Sequence, residues 1–88
     1  MNLEMKYMHQ DIIMAYLEKI ANKKGEVINE QTDLFGSLIL DSFEVISLLS
    51  YLQEKFSINF SEEDLDFRNF QTVDNIVSWL DKKIKERG

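Results

Sequence analysis

The chain has 88 residues, with no cysteine and no proline, and its 16 acidic side chains against 10 basic ones give a net charge of −6. That length points to one domain, and the missing cysteines exclude disulfides, thiolate zinc sites and any thiol chemistry encoded in the chain. No window approaches the run of about 18 apolar residues that a membrane span needs, and the acidic balance argues against duplex nucleic acid and anionic membranes as partners.

Apolar residues make up 44% of the chain and ten are aromatic, enough for one hydrophobic core. The opening Met1-Asn2-Leu3-Glu4-Met5-Lys6 lacks the apolar stretch and small-residue cleavage site of a signal peptide. A cytoplasmic protein is the expectation.

Four helical segments are predicted. Met5, Met8, Ile12, Ile13, Tyr16, Leu17 and Ile20 recur at helical spacing and mark a first helix over about 5–23. Lys23 and Lys24 suit the negative end of its dipole, and Gly25 suits a left-handed cap. Residues 26–40 show no sustained period, yet they include Val27, Ile28, Leu34, Phe35, Leu38, Ile39 and Leu40. So apolar a stretch reads as a long ordered loop packed on the core, and loops of that length are often functional.

Asp41-Ser42-Phe43-Glu44 matches a capping box, with Asp41 as the cap and Glu44 reaching back. The second helix, 42–56, then carries a stripe of Val45, Ile46, Leu48, Leu49, Leu52 and Phe56. Phe43 sits at its exposed opening. Ser61-Glu62-Glu63-Asp64 resembles another cap and opens a short helix over 62–67. Thr72 caps a last helix over about 72–86, with Val73, Ile76, Val77, Leu80 and Ile84 inward, Trp79 partly buried beside them, and Lys82, Lys83, Lys85 and Arg87 in the closing turns. The fold expected is all-α: a small four-helix bundle with a long loop between helices 1 and 2 and a short third helix.

The acidity is concentrated. Residues 26–66 hold ten acids and a single base, Lys55, whereas both flanks are weakly positive. Such a block either keeps a small domain soluble or steers basic partners.

Catalytic constellations are absent. His9, the only histidine, reads as a surface or boundary residue of the first helix, with no triad pattern around it. Metal ligands are too few. Asp64-Leu65-Asp66-Phe67-Arg68-Asn69 fails as a calcium loop, because Arg68 occupies a ligand position, Asn69 stands where a glycine is required and Asn75 replaces the closing glutamate. Ser42 stands out by position: its hydroxyl is expected to be exposed at the start of the second helix, with no base to activate it.

The window Leu34-Phe35-Gly36-Ser37-Leu38-Ile39-Leu40-Asp41-Ser42-Phe43 and the Val45–Phe56 stripe resemble the acyl carrier protein family. The likeness runs from about Asp11 to Lys85 and makes the whole chain one carrier domain. It implies that Ser42 receives 4'-phosphopantetheine from coenzyme A, with Asp41 positioning the serine. The cofactor would import the thiol that the sequence lacks. It further implies a non-enzymatic monomer whose partners are a phosphopantetheinyl transferase, an acyl- or aminoacyl-loading ligase, and acyl-transfer or condensing enzymes with basic docking surfaces. Docking would fall on Leu40, Phe43, Glu44, Ser47, Glu54, Glu62 and Glu63.

Ile39 and Phe43 depart from the glycine and leucine usual around the serine of fatty-acid-synthesis carriers, and Ser47, Ser50 and Gln53 dilute the acidic face of the second helix. These departures look more like a specialised carrier of a polyketide, nonribosomal peptide or aminoacyl-ligase pathway than the housekeeping one. An unmodified acidic interaction module on the same fold is the reading from another class.

Overall fold

The computed structural model describes residues 3–87. Three α-helices, α1 (Leu3–Lys23), α2 (Ser42–Phe56) and α3 (Val73–Arg87), carry the structure, and no strand is present among the described residues. Between α2 and α3 lie two consecutive 3-10 turns, Glu62–Leu65 and Phe67–Phe70, where a single short helix over 62–67 was expected. The reason is local. Asp64 accepts the Ser61 N–H at 2.8 Å, and Asp66 accepts the Arg68 N–H at 2.9 Å. Each aspartate caps its own short turn, so the chain restarts at Asp66 instead of propagating one helix.

Each helix contributes one stripe to a common core. Ile13, Leu17 and Ala21 come from α1, Val45, Leu48, Leu49 and Leu52 from α2, and Val73, Ile76, Val77 and Leu80 from α3. Leu34, Ile39, Leu40, Ile58 and Phe70 fill the core from the connecting segments. Burying each large aliphatic side chain contributes roughly 1.5–3 kcal/mol.

Several side chains stand differently from expectation. The buried face of α1 runs through His9, Ile13, Leu17 and Ala21, one residue out of register with Met8, which therefore faces solvent. Met5 lies outside the residues whose side chains are described. Ile46 flanks the α2 stripe and is 46% exposed, and Val27 is almost fully exposed. Trp79 is buried, and its indole N–H reaches Asp64 at 3.1 Å.

His9 is the clearest correction, because it is buried and not at the surface. Its Nδ1 donates to Asp81 Oδ1 at 2.7 Å, and its ring meets Phe56 edge-on. This pair clasps α1 to α3 across 72 residues of sequence. A second polar tie joins the 3-10 turns to α3. Asp64 accepts from Trp79 and from Lys83, the latter at 3.0 Å. Burial raises the Asp64 pKa, but the Ser61 N–H, Lys83 and Trp79 together outweigh it, and the net direction is downward.

Asp81→Ala should leave the His9 ring buried without its acceptor and lower stability by about 1–3 kcal/mol in urea unfolding. The Asp64 ties should appear in acid titration. A carboxyl held below its unfolded pKa stabilises the fold fully above the unfolded value, and that contribution is lost as pH falls through the folded value. Wild-type protein should therefore lose stability below about pH 4, and Asp64→Asn should flatten that part of the profile while lowering stability at neutral pH.

Candidate functional site

Ser42 is the first residue of α2 and is exposed. Asp41 precedes it in extended conformation (φ −126°, ψ −176°), and its carboxylate accepts the Glu44 N–H at 2.8 Å. The bond runs one way: Glu44 makes no return bond to the Asp41 backbone, so the expected reciprocal box is half formed. Asp41 satisfies one of the first-turn N–H groups that have no partner inside the helix, leaving the others facing the space beside the serine. The helix dipole adds positive potential there.

The segment that delivers Ser42 is held by a dense set of backbone bonds centred on Leu34. Leu34 is buried, and its N–H donates to the Gln71 carbonyl at 2.8 Å. Its own carbonyl accepts from both Ile39 and Leu40 at 2.9 Å. The Asp33 carboxylate accepts the Phe35 and Gly36 N–H groups, and a side chain at Gly36 would meet that carboxylate at 2.5 Å, so any larger residue here has to push the Asp33 side chain away from its present place. Leu38 closes the turn with φ +63°, the left-handed region, which costs a non-glycine residue roughly 1–2 kcal/mol. Its side chain is 74% exposed.

The residues assigned to docking divide. Phe43 is three-quarters exposed beside the serine, and Glu54, Glu62 and Glu63 are exposed. Ser47 is half-buried. Glu44 is half-buried too and lines a groove of about 480 Å³ between α1 and α2 with Tyr16, Lys23 and Tyr51. Burial, then Glu44, then Tyr51 push the Tyr16 hydroxyl above its usual pKa. Leu40 belongs to the core, so it has no face to offer a partner. Sequence reasoning missed Leu38, Ile46 and Phe67, three large exposed apolar side chains. Phe67 packs against the half-buried Phe35 at 5.0 Å between ring centroids.

The acidic block also divides, by residue type. Asp33, Asp41, Asp64 and Asp66 each accept nearby backbone N–H groups. Arg68 adds a bidentate pair to Asp66, and its side chain and N–H hold that carboxyl at a pKa of about 2. Short aspartates reach their own backbone, as is common in turns. Among the described residues, no His, Cys, Asp or Glu side chains come together in a metal-holding group of three or more, and no helix is long and apolar enough to cross a membrane.

Comparison with known proteins places this geometry. Residues 11–80 match the family described as the phosphopantetheine attachment site. The acyl carrier protein of Buchnera aphidicola from Schizaphis graminum is 30% identical over 74 residues, covering 84% of this chain and 91% of that protein. The acyl carrier protein of Amoebophilus asiaticus is 26% identical over 94% of this chain and all of its own length. The D-alanyl carrier protein of Staphylococcus saprophyticus is 30% identical over 83% and 94%. No solved structure matches significantly. The chain belongs to the phosphopantetheine-binding acyl carrier family: it is a carrier and not an enzyme, and its cofactor is covalently attached 4'-phosphopantetheine.

The residues present fit that group. A phosphodiester needs an accessible hydroxyl and anion-stabilising donors, and the first turn of α2 offers both. Asp41→Ala should lower stability by about 0.5–2 kcal/mol in chemical denaturation through loss of the cap, and should raise hydrogen exchange at the Glu44 amide selectively.

Proposed function

We propose that Ser42 is the attachment serine and that the chain serves as a single carrier domain in a specialised pathway, presenting acyl or aminoacyl groups to partner enzymes. The observation that carries this reading is the exposed Ser42 hydroxyl at the capped start of α2, inside the matched region. When bound, the cofactor supplies a thiol on a flexible arm, where cargo is held as a thioester. The protein's own contribution is positional. Asp41 fixes the first turn of α2, the free N–H groups there stabilise the phosphate charge, and the turn before the helix holds the serine outward. A separate transferase activates the hydroxyl, which displaces 3',5'-adenosine bisphosphate from coenzyme A as the new O–P bond forms.

Several D-alanyl carrier relatives and the diluted acidic face of α2 support an aminoacyl or other specialised cargo. A second reading, the housekeeping fatty-acid carrier, draws on the two relatives named acyl carrier protein. Under either reading the protein works as a cytoplasmic monomer. Phe43, Glu54, Glu62 and Glu63 meet the transferase, the loading ligase and the downstream transfer or condensing enzymes.

Incubation with coenzyme A and a broad-specificity phosphopantetheinyl transferase should add one phosphopantetheine to the intact mass. Ser42→Ala should abolish the gain while leaving stability within about 0.5 kcal/mol of wild type, as for other exposed substitutions. Folded wild-type protein that gains no mass would overturn the assignment. Charging by an aminoacyl-adenylating ligase, but not by fatty-acid enzymes, would separate the specialised reading from the housekeeping one.

A further inference from the structure

The turn before Ser42 contains an unfavourable residue that nothing on its own side chain explains. Leu38 takes φ +63° with its side chain in solvent, so burial does not hold it in the left-handed region. Its N–H is bonded within the turn to the Phe35 carbonyl at 3.0 Å, while its carbonyl faces Lys24. The Lys24 ammonium donates to the Leu38 carbonyl at 2.5 Å and reaches the next carbonyl, Ile39, at 3.5 Å. It is the one side chain from elsewhere in the chain that bonds the backbone of this turn among the described residues.

Lys24 is itself well placed to act as an anchor. The end of α1 is locked by the Lys24 and Glu26 N–H groups on the Ala21 carbonyl, by the Gly25 N–H on Asn22, and by Gly25 at φ +72°. Its side chain therefore springs from a fixed point. Beyond Leu38, Ile39 and Leu40 are buried and leave little play before Asp41 and Ser42. The position of the hydroxyl is thus coupled to the conformation of Leu38.

We infer that Lys24 is a positioning residue for modification of Ser42: its ammonium holds the Leu38–Ile39 turn in the conformation that aims the serine at an incoming phosphopantetheinyl group. The inference rests on Ser42 being the attachment serine. Lys24 touches neither the serine nor the reacting phosphate. It acts through the backbone.

The test is steady-state modification by a broad-specificity phosphopantetheinyl transferase with coenzyme A, using the whole chain and its variants. Lys24→Met should lower kcat on the order of tenfold with little change in KM, because a misaimed hydroxyl slows the step without weakening encounter. Lys24→Arg, which keeps charge and donors, should recover most of the rate. Leu38→Gly supplies the decisive comparison. Glycine adopts positive φ without steric cost, so adding Lys24→Met to Leu38→Gly should change kcat less than twofold relative to Leu38→Gly alone. Hydrogen exchange at the amides of residues 38–40 should rise in Lys24→Met and not in Lys24→Arg. Unchanged kcat in Lys24→Met, an effect confined to KM, or an equal loss in the Leu38→Gly background would each overturn the inference. If wild-type protein takes no arm at all, the failure belongs to the Ser42 assignment and not to Lys24.

Discussion

Leu34 is the point on which the arrangement around the serine depends. Its side chain sits in the core, its N–H is bonded to Gln71 just before α3, and its carbonyl receives two N–H groups from the residues leading into α2. One residue thereby ties the connecting segment to the opposite end of the chain and folds that segment back on itself. Buried backbone groups must be paired, so the core can admit Leu34, Ile39 and Leu40 only if these bonds form. Packing and hydrogen bonding make the same demand here, and the start of α2 follows from it.

The division of labour among the acids follows from side-chain length. Aspartate can turn back onto its own backbone, and four aspartates do so, capping α2, both 3-10 turns and the turn at Gly36. Glutamate carries its charge one methylene further out, and Glu54, Glu62 and Glu63 remain exposed. The concentration of negative charge between residues 26 and 66 is therefore a product of two causes. Part of it comes from folding a segment rich in turns, and part is charge left on the surface.

The helices were legible in the sequence because each repeats its apolar residues at one period, and the capping residues Asp41 and Thr72 sit where the helices begin. The exposed place of Ser42 at the start of α2 was legible through its position after Asp41. The pairing of His9 with Asp81 was not, since it joins residues 72 apart and neither has a local signature. A trace existed even so: position 9 is one helical step before Ile13, and position 81 one step after Val77, so both lie on buried stripes with complementary chemistry. The 3-10 turns were misread as a helix because a capping pattern marks where a turn starts, not how far it runs. Leu40 was misassigned because proximity to the serine in sequence says nothing about which way a side chain points.

The turn from Asp33 to Leu40 has a consequence for association. Its backbone is already committed before any partner arrives: by the Asp33 carboxylate beneath Gly36, by the doubly bonded Leu34 carbonyl, by Lys24 on the Leu38 carbonyl and by the buried pair Ile39 and Leu40. Ordering a flexible loop on contact would consume part of the affinity of each encounter. A carrier must be released by one enzyme before it can reach the next, so its contacts have to be brief as well as specific. A turn that loses little entropy on binding lets a small contact area suffice, and a small contact area is quick to let go.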